Sequence, residues 1–171
     1  FLILSGHYRS PIDFSRQHIR ECQSALHRYY STIRLVKNRG ALPTISGSAV
    51  LEAAALKSFA ATFEANWIAA MEDDLNTAKA IGLVFEYVRT ANALFDRKKF
   101  VSTPETAQLA KEFLDNMSRF GSVINLFKEQ CELFLNNLRI QVAIERGLTP
   151  EVIEKQLKDR TDARASKDYA K

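Results

Sequence analysis

The chain has 171 residues, of which 46% are hydrophobic and 26% charged, with a net charge of +4, six glycines, four prolines and two cysteines. That is enough for one domain with a real core, or one domain plus a tail, in the ordinary range of soluble globular proteins. So few breakers argue against many short strands. Cys22 and Cys131 make neither a disulfide framework nor a CxxC knuckle, and the opening "FLIL" is too short for a signal or membrane span, so a reduced, cytoplasmic compartment with no membrane partner is expected.

In chain order, "FLIL" reads as the end of a helix and Pro11 as a corner. Ser15 is a candidate N-cap. Ile19, Cys22, Leu26, Tyr29, Ile33 and Val36 then recur at spacings of three and four, one apolar seam on a helix of about six turns. Beside that seam Arg20, His27 and Arg34 repeat every seven residues as a cationic stripe. The loop "NRGALPTISGSA" (38–49) follows. A second helix is predicted through Val50, Ala54, Phe59, Phe63 and Trp67, its aromatics placed in the core. It ends at "MEDDLNT", where Asn76 or Asp74 caps a third helix carrying Ile81, Val84, Val88, Ala91 and Phe95. Arg97, Lys98 and Lys99 are expected to complement the negative end of that helix dipole.

Thr103-Pro104 is a cap followed by proline at the first helical position, and Leu109, Phe113, Met117 and Phe120 line a face as far as Gly121. The stretch 123–147 is apolar and helix-friendly without a clean period. Thr149-Pro150 opens a last helix, densely charged after Leu157. No run alternates strictly enough for a strand. The reading is all-α: an antiparallel bundle of five to six helices, with short loops putting successive helices side by side. A helical-bundle domain over 1–147 and the start of a C-terminal helical extension over 148–171 are expected.

Charge is uneven. Residues 1–40 hold seven Arg/Lys against two acids, a net +5 with all three histidines in addition, and the other 131 residues sum to −1. A basic end on a near-neutral body points to an anionic partner, nucleic acid being the commonest. Other chemistry finds little support. Glu72, Asp73 and Asp74 are consecutive and diverge on a helix, so they read as helix-junction acids facing the next N-terminus rather than as a metal site. His7, His18 and His27 form no i,i+4 ligand pair. No glycine-rich phosphate loop and no nucleophile elbow is present. No catalytic, cofactor-binding or metal-binding residue is assigned.

Three stretches carry a family resemblance. "FLILSGHYRSPIDFS" resembles the segment that follows the catalytic domain in cysteinyl-tRNA synthetases, with its Ser-x-His-Tyr-Arg-Ser-Pro corner. "FEANWIAAMEDDLNTAKAIGLVFEYVRTAN" (63–92) is similar to that family's Ala-Met-Asp-Asp-Asp-Phe-Asn-Thr stretch and the helix after it. "RTDARASKDYA" (160–170) resembles its Arg-x-x-Ala-Arg-x-x-Lys-Asp-Tyr/Phe-Ala stretch. The motifs stand in the family's order, whereas 101–150 matches only by helical pattern. Gly6, Glu72 and Leu75 depart from the common residues.

The resemblance implies a class Ia, DALR-type anticodon-binding bundle from an enzyme that attaches cysteine to tRNA(Cys) using ATP, with a zinc that selects the thiolate. It places the His-Ile-Gly-His and Lys-Met-Ser-Lys-Ser signatures and the zinc ligands ahead of Phe1, so these residues are expected to be non-catalytic, with the enzyme's own catalytic domain and tRNA(Cys) as partners. Candidate tRNA contacts are Arg9, Arg16, Arg20, Arg34, Arg160, Arg164 and Lys167. Arg9 either faces tRNA or pins the corner through carbonyls or an acid. Two alternatives share the helical reading: the related cysteine ligase of mycothiol synthesis, which the "ARASKDYA" stretch disfavours, and a helical protein-interaction module.

Overall fold

The computed structural model describes residues 1–47 and 51–165, with side chains omitted for Pro150 and 163–165. Six helices follow one another: α1 (Arg16–Gly40), α2 (Leu51–Glu72), α3 (Thr77–Phe95), α4 (Pro104–Val123), α5 (Cys131–Glu145) and α6 (Pro150–Ala165), with no strand among the described residues. The chain divides into two compact units, Phe1–Glu132 and a second beginning at Leu133.

Local chemistry sets most helix ends. Ser15, in an extended conformation, caps α1 by accepting from the His18 N–H at 3.1 Å. Thr103 caps α4 through a reciprocal box with Thr106, ahead of Pro104. α4 continues past Gly121 to Val123. It closes as a Schellman turn, with Leu126 N–H on the Gly121 carbonyl at 2.9 Å and Asn125 left-handed at φ 56°. A Cβ at Gly121 would stand 2.9 Å from the Leu126 carbonyl oxygen, which is why glycine is needed there. α5 ends in the same way, with Gly147 at φ 64° and Leu148 N–H on the Ala143 carbonyl. "FLIL" forms one turn, closed by Ser5 N–H on the Phe1 carbonyl at 3.0 Å.

The first unit is a four-helix bundle with an unexpected neighbour order. α2 packs most extensively on α3 and runs antiparallel to it, as the Glu52–Arg97 and Phe63–Tyr87 contacts require. α1 lies on α3 and α4, and α2 on α3 and α4, but α1 and α2 do not pack on each other. Arg28 meets Phe85 and Thr32 meets Asn92, so α1 runs parallel to α3. The side-by-side expectation for α1 and α2 is therefore corrected. The loop 41–47 is long enough to cross the bundle, and it is held there by Ile45 N–H on the Ser102 carbonyl at 2.9 Å and by the Ser102 hydroxyl on the Leu42 carbonyl.

Aromatic rings fill the centre. Phe63 lies 4.8 Å from Tyr87 and 5.0 Å from Phe120, Trp67 lies 4.8 Å from Phe120, and Tyr87 meets Phe113 edge-on at 4.9 Å. Such pairs add about 0.5–1.5 kcal/mol each beyond area burial. The α1 seam is buried at Cys22, Tyr29, Ile33 and Val36, with Ile19 and Leu26 half-buried. The α2 seam differs from expectation. Ala53, Leu56, Ala60, Phe63, Trp67 and Ala70 are buried, whereas Ala54 is exposed and Phe59 half-buried; Val50 lies outside the described residues. Alanines surround this helix, so the sequence period is blurred there.

Candidate nucleic-acid interface

The first forty residues deliver their cations to two kinds of place. Arg9 belongs to the corner before α1, where Ser10 N–H bonds the His7 carbonyl at 2.8 Å. Its guanidinium reaches the junction between α2 and α3. Nε lies 3.0 Å from Asp74 Oδ2 and Nη2 donates to Asp74 Oδ1 at 3.1 Å. The Tyr8 hydroxyl donates to the same Oδ1 at 2.7 Å and accepts from Arg9 Nε at 2.9 Å, while the Tyr8 ring stacks on His7. Of the two roles open to Arg9, the acid-pinned corner is what this geometry builds, and the side chain remains two-thirds exposed.

The junction is shaped for that grip. Asp74 and Leu75 are both left-handed, at φ 55° and 52°, and Asn76 (φ −71°, ψ 73°) sits in an inverse γ-turn with Thr77 N–H 2.7 Å from the Leu75 carbonyl. Asn76, not Asp74, caps α3, accepting from Lys79 N–H at 3.0 Å. The acids stand before the α3 cap: Asp74 turns to the corner and Asp73 lies 3.8 Å from Lys79 in the first turn of α3. Arg97, Lys98 and Lys99 likewise lie beyond the last turn of α3, and Arg97 pairs with Glu52 on α2 at 2.8 Å.

α1 carries the rest. Arg16 and Arg20 are exposed on successive turns, about 6 Å apart along the axis. Neither has an ion-pair partner among the described residues, and the same is true of Arg28, which lies over the Phe85 ring at 5.2 Å. Sequence reasoning left Arg28 out because it falls off the seven-residue stripe. Gln17, Arg20, Glu21, Ser24, Ala25 and Arg28 line a shallow hollow of roughly 360 Å³ on one face of α1. Its one acid, Glu21, accepts from Gln17 at 3.1 Å and lies 3.5 Å from His18 Nδ1. Further along the stripe His27 is exposed, but Arg34 is only 30% exposed and lies 3.6 Å from Glu132. The expected stripe is thus split: its N-terminal half is open and its C-terminal end is engaged.

Arg160 is exposed on α6, in the second unit. The Arg164 side chain and Lys167 lie outside the described residues. Cys22 is buried with only His18 Nε2 near its sulfur, at 3.9 Å, and no group of three His, Cys, Asp or Glu side chains converges among the described residues. No helix of the described residues is long and apolar enough to cross a membrane.

Comparison with known proteins gives these features a context. Residues 66–128, from the second half of α2 to beyond the end of α4, match the family model described as the DALR domain. Over its whole length the chain is similar to cysteine–tRNA ligases. It is 36% identical to that of Geobacter metallireducens, over 99% of this chain and 34% of that protein. It is 37% identical to that of Desulfovibrio desulfuricans, over 100% and 35%, and 34% identical to that of Syntrophotalea carbinolica, over 100% and 34%. The chain spans about a third of the length of these curated relatives.

Proposed function

Because the chain belongs to the cysteine–tRNA ligase family and carries its DALR-type helical bundle, we propose that it binds tRNA(Cys) through the open N-terminal half of α1 and holds the anticodon arm at a fixed distance from a catalytic domain. In this reading the parent enzyme joins cysteine to tRNA, its ATP and zinc chemistry belongs to other parts of that enzyme, and the bundle supplies affinity and geometry. Contacts to the RNA backbone position a ligand without reading its sequence.

The observation that carries the reading is the contrast among the arginines. Arg9 and Arg34 are held by carboxylates, whereas Arg16, Arg20 and Arg28 have no carboxylate partner among the described residues and share the N-terminal half of a 25-residue helix. Unpaired guanidinium groups on a fixed rod are what a phosphate backbone requires. Arg160 on α6 is a second candidate contact, and Arg164 and Lys167 are proposed with it from the sequence alone.

Titrating tRNA(Cys) against the chain at several salt concentrations tests this. Binding through the three open arginines should weaken with salt with a log–log slope of roughly −2 to −3, and Arg16→Gln with Arg20→Gln should remove nearly two units of it. Binding that ignores salt, or none at low salt, counts against the reading.

A further inference from the structure

Immediately before the open arginines stands a side chain that the fold leaves unused. Phe14 is 76% exposed and its ring has no aromatic or cationic partner among the described residues. It occupies the position just before the Ser15 cap, from which an apolar residue ordinarily folds onto the fourth helical residue, here Ile19, as a hydrophobic staple. At this exposure that staple is not closed. Tyr8, the other strongly exposed aromatic of the segment, differs in being committed: its ring stacks on His7 and its hydroxyl bonds Asp74.

The side chains on either side of Phe14 are tied together. The Ser15 hydroxyl donates to Asp13 Oδ2 at 2.9 Å and accepts from His18 N–H, so one side chain ties the residue before Phe14 to the first turn of α1. The same contact engages one carboxylate oxygen of Asp13, the acid next to the ring. Phe14 therefore sits as a bare aromatic beside the positive end of a long helix dipole and two residues ahead of Arg16. A free ring adjoining unpaired cations is the arrangement by which proteins hold unpaired nucleotides: cations follow the backbone while a base lies on the ring.

We propose that Phe14 is a stacking platform for an unpaired base of the bound RNA, so that this end of α1 grips a loop or a strand end rather than a continuous duplex. The inference rests on the tRNA-binding reading above and adds a ligand preference to it. Duplex RNA keeps its base faces covered and offers such a ring nothing beyond its backbone.

The test uses the 171-residue chain with a tRNA(Cys) transcript and a blunt RNA duplex of equal phosphate count. Phe14→Ala and Phe14→Leu should each weaken tRNA binding about tenfold, leave the salt slope unchanged and leave duplex binding unmoved, while Phe14→Tyr retains wild-type affinity. Arg20→Gln should do the reverse, lowering the slope by about 0.7–0.9 on both RNAs. Wild-type tRNA affinity in Phe14→Ala overturns the proposal. So does wild-type affinity of Phe14→Leu for tRNA, which would make the ring ordinary apolar packing, or an equal loss on tRNA and duplex, which would make it a prop for the helix end. A self-associating wild type that becomes monomeric on Phe14→Ala would assign the ring to a protein contact and also overturn it. If the wild-type chain binds neither RNA, the tRNA-binding reading itself fails and the proposal falls with it. Far-ultraviolet circular dichroism checks that each variant keeps its helix content.

Discussion

Asn92 on α3 donates its side-chain amide to Thr32 Oγ1 on α1 at 2.8 Å, and the Thr32 hydroxyl in turn donates to the Arg28 carbonyl one turn back along its own helix. Thr32 is only 1% exposed, so this is a polar link inside an apolar seam, and it fixes the register of α1 against α3. Replacing Thr32 by Val keeps the shape and strands the Asn92 amide. The expected loss is about 1–3 kcal/mol by urea denaturation, with Thr32→Ser costing less than about half of that. If Thr32→Val is as stable as the parent, the link carries no weight.

The junction at residues 73–76 makes a prediction in the opposite direction. Leu75 is left-handed at φ 52° and 62% exposed, so it bears a backbone penalty without much burial in return. Left-handed backbone costs an ordinary residue about 1–2 kcal/mol. Leu75→Gly should therefore raise stability by about 0.5–1 kcal/mol after the greater freedom of glycine in the unfolded chain is subtracted. Asp74→Asn keeps an oxygen for Tyr8 and tolerates the left-handed backbone, and because the Arg9 pair is largely exposed the change should cost under about 1 kcal/mol. A destabilised Leu75→Gly protein would contradict this account of the junction.

Phe63 is fully buried and touches rings from α3 and α4, whereas Phe59 on the preceding turn is half-buried. Phe63→Ala should cost about 3–5 kcal/mol and Phe59→Ala clearly less. Equal losses at the two positions would mean that the core is centred elsewhere.

Stability should fall in alkali. Burial pushes the Tyr87 hydroxyl up to about 12, against a weaker opposing hydrogen bond from Asn116, and burial raises Tyr29 and Tyr30 as well. The folded value lies above the unfolded one of about 10, so the folded chain holds these protons more tightly. Their contribution to stability is complete below about pH 10 and is lost as pH climbs toward about 12, at up to roughly 1.4 kcal/mol per pH unit for each tyrosine. Urea midpoints measured across that window should slope downward together with the appearance of tyrosinate absorbance. Tyr87→Phe should make the slope shallower, and an unchanged slope would remove Tyr87 from the explanation.

Much of this architecture was legible in the sequence because it is written locally. Ser15 and Thr103-Pro104 announce helix starts through bonds that span three residues. The α3 seam of Ile81, Val84, Val88, Ala91 and Phe95 is buried as its spacing requires. α2 was harder because alanines occupy both its inner and outer faces, as Ala53 and Ala54 illustrate. The left-handed pair Asp74–Leu75 carries no glycine to advertise it. The grip of Asp74 on Arg9 joins residues 65 positions apart, which no local pattern encodes. At the candidate interface, charge counting drew attention to the first forty residues, but it could not separate open arginines from engaged ones, and an aromatic before a cap reads as packing until its exposure is known.

The separation of α1 from α2 has a kinetic consequence. α2 and α3 are joined by residues 73–76 and can zip together as a local hairpin, whereas α1 must find α3 and α4 across spans such as the seventy residues between Gly40 and Ala110. Closing so long a span is entropically costly before any contact rewards it. The α2–α3 hairpin is therefore expected to form before α1 docks. The helix whose N-terminal half carries the open arginines would then be the last to dock.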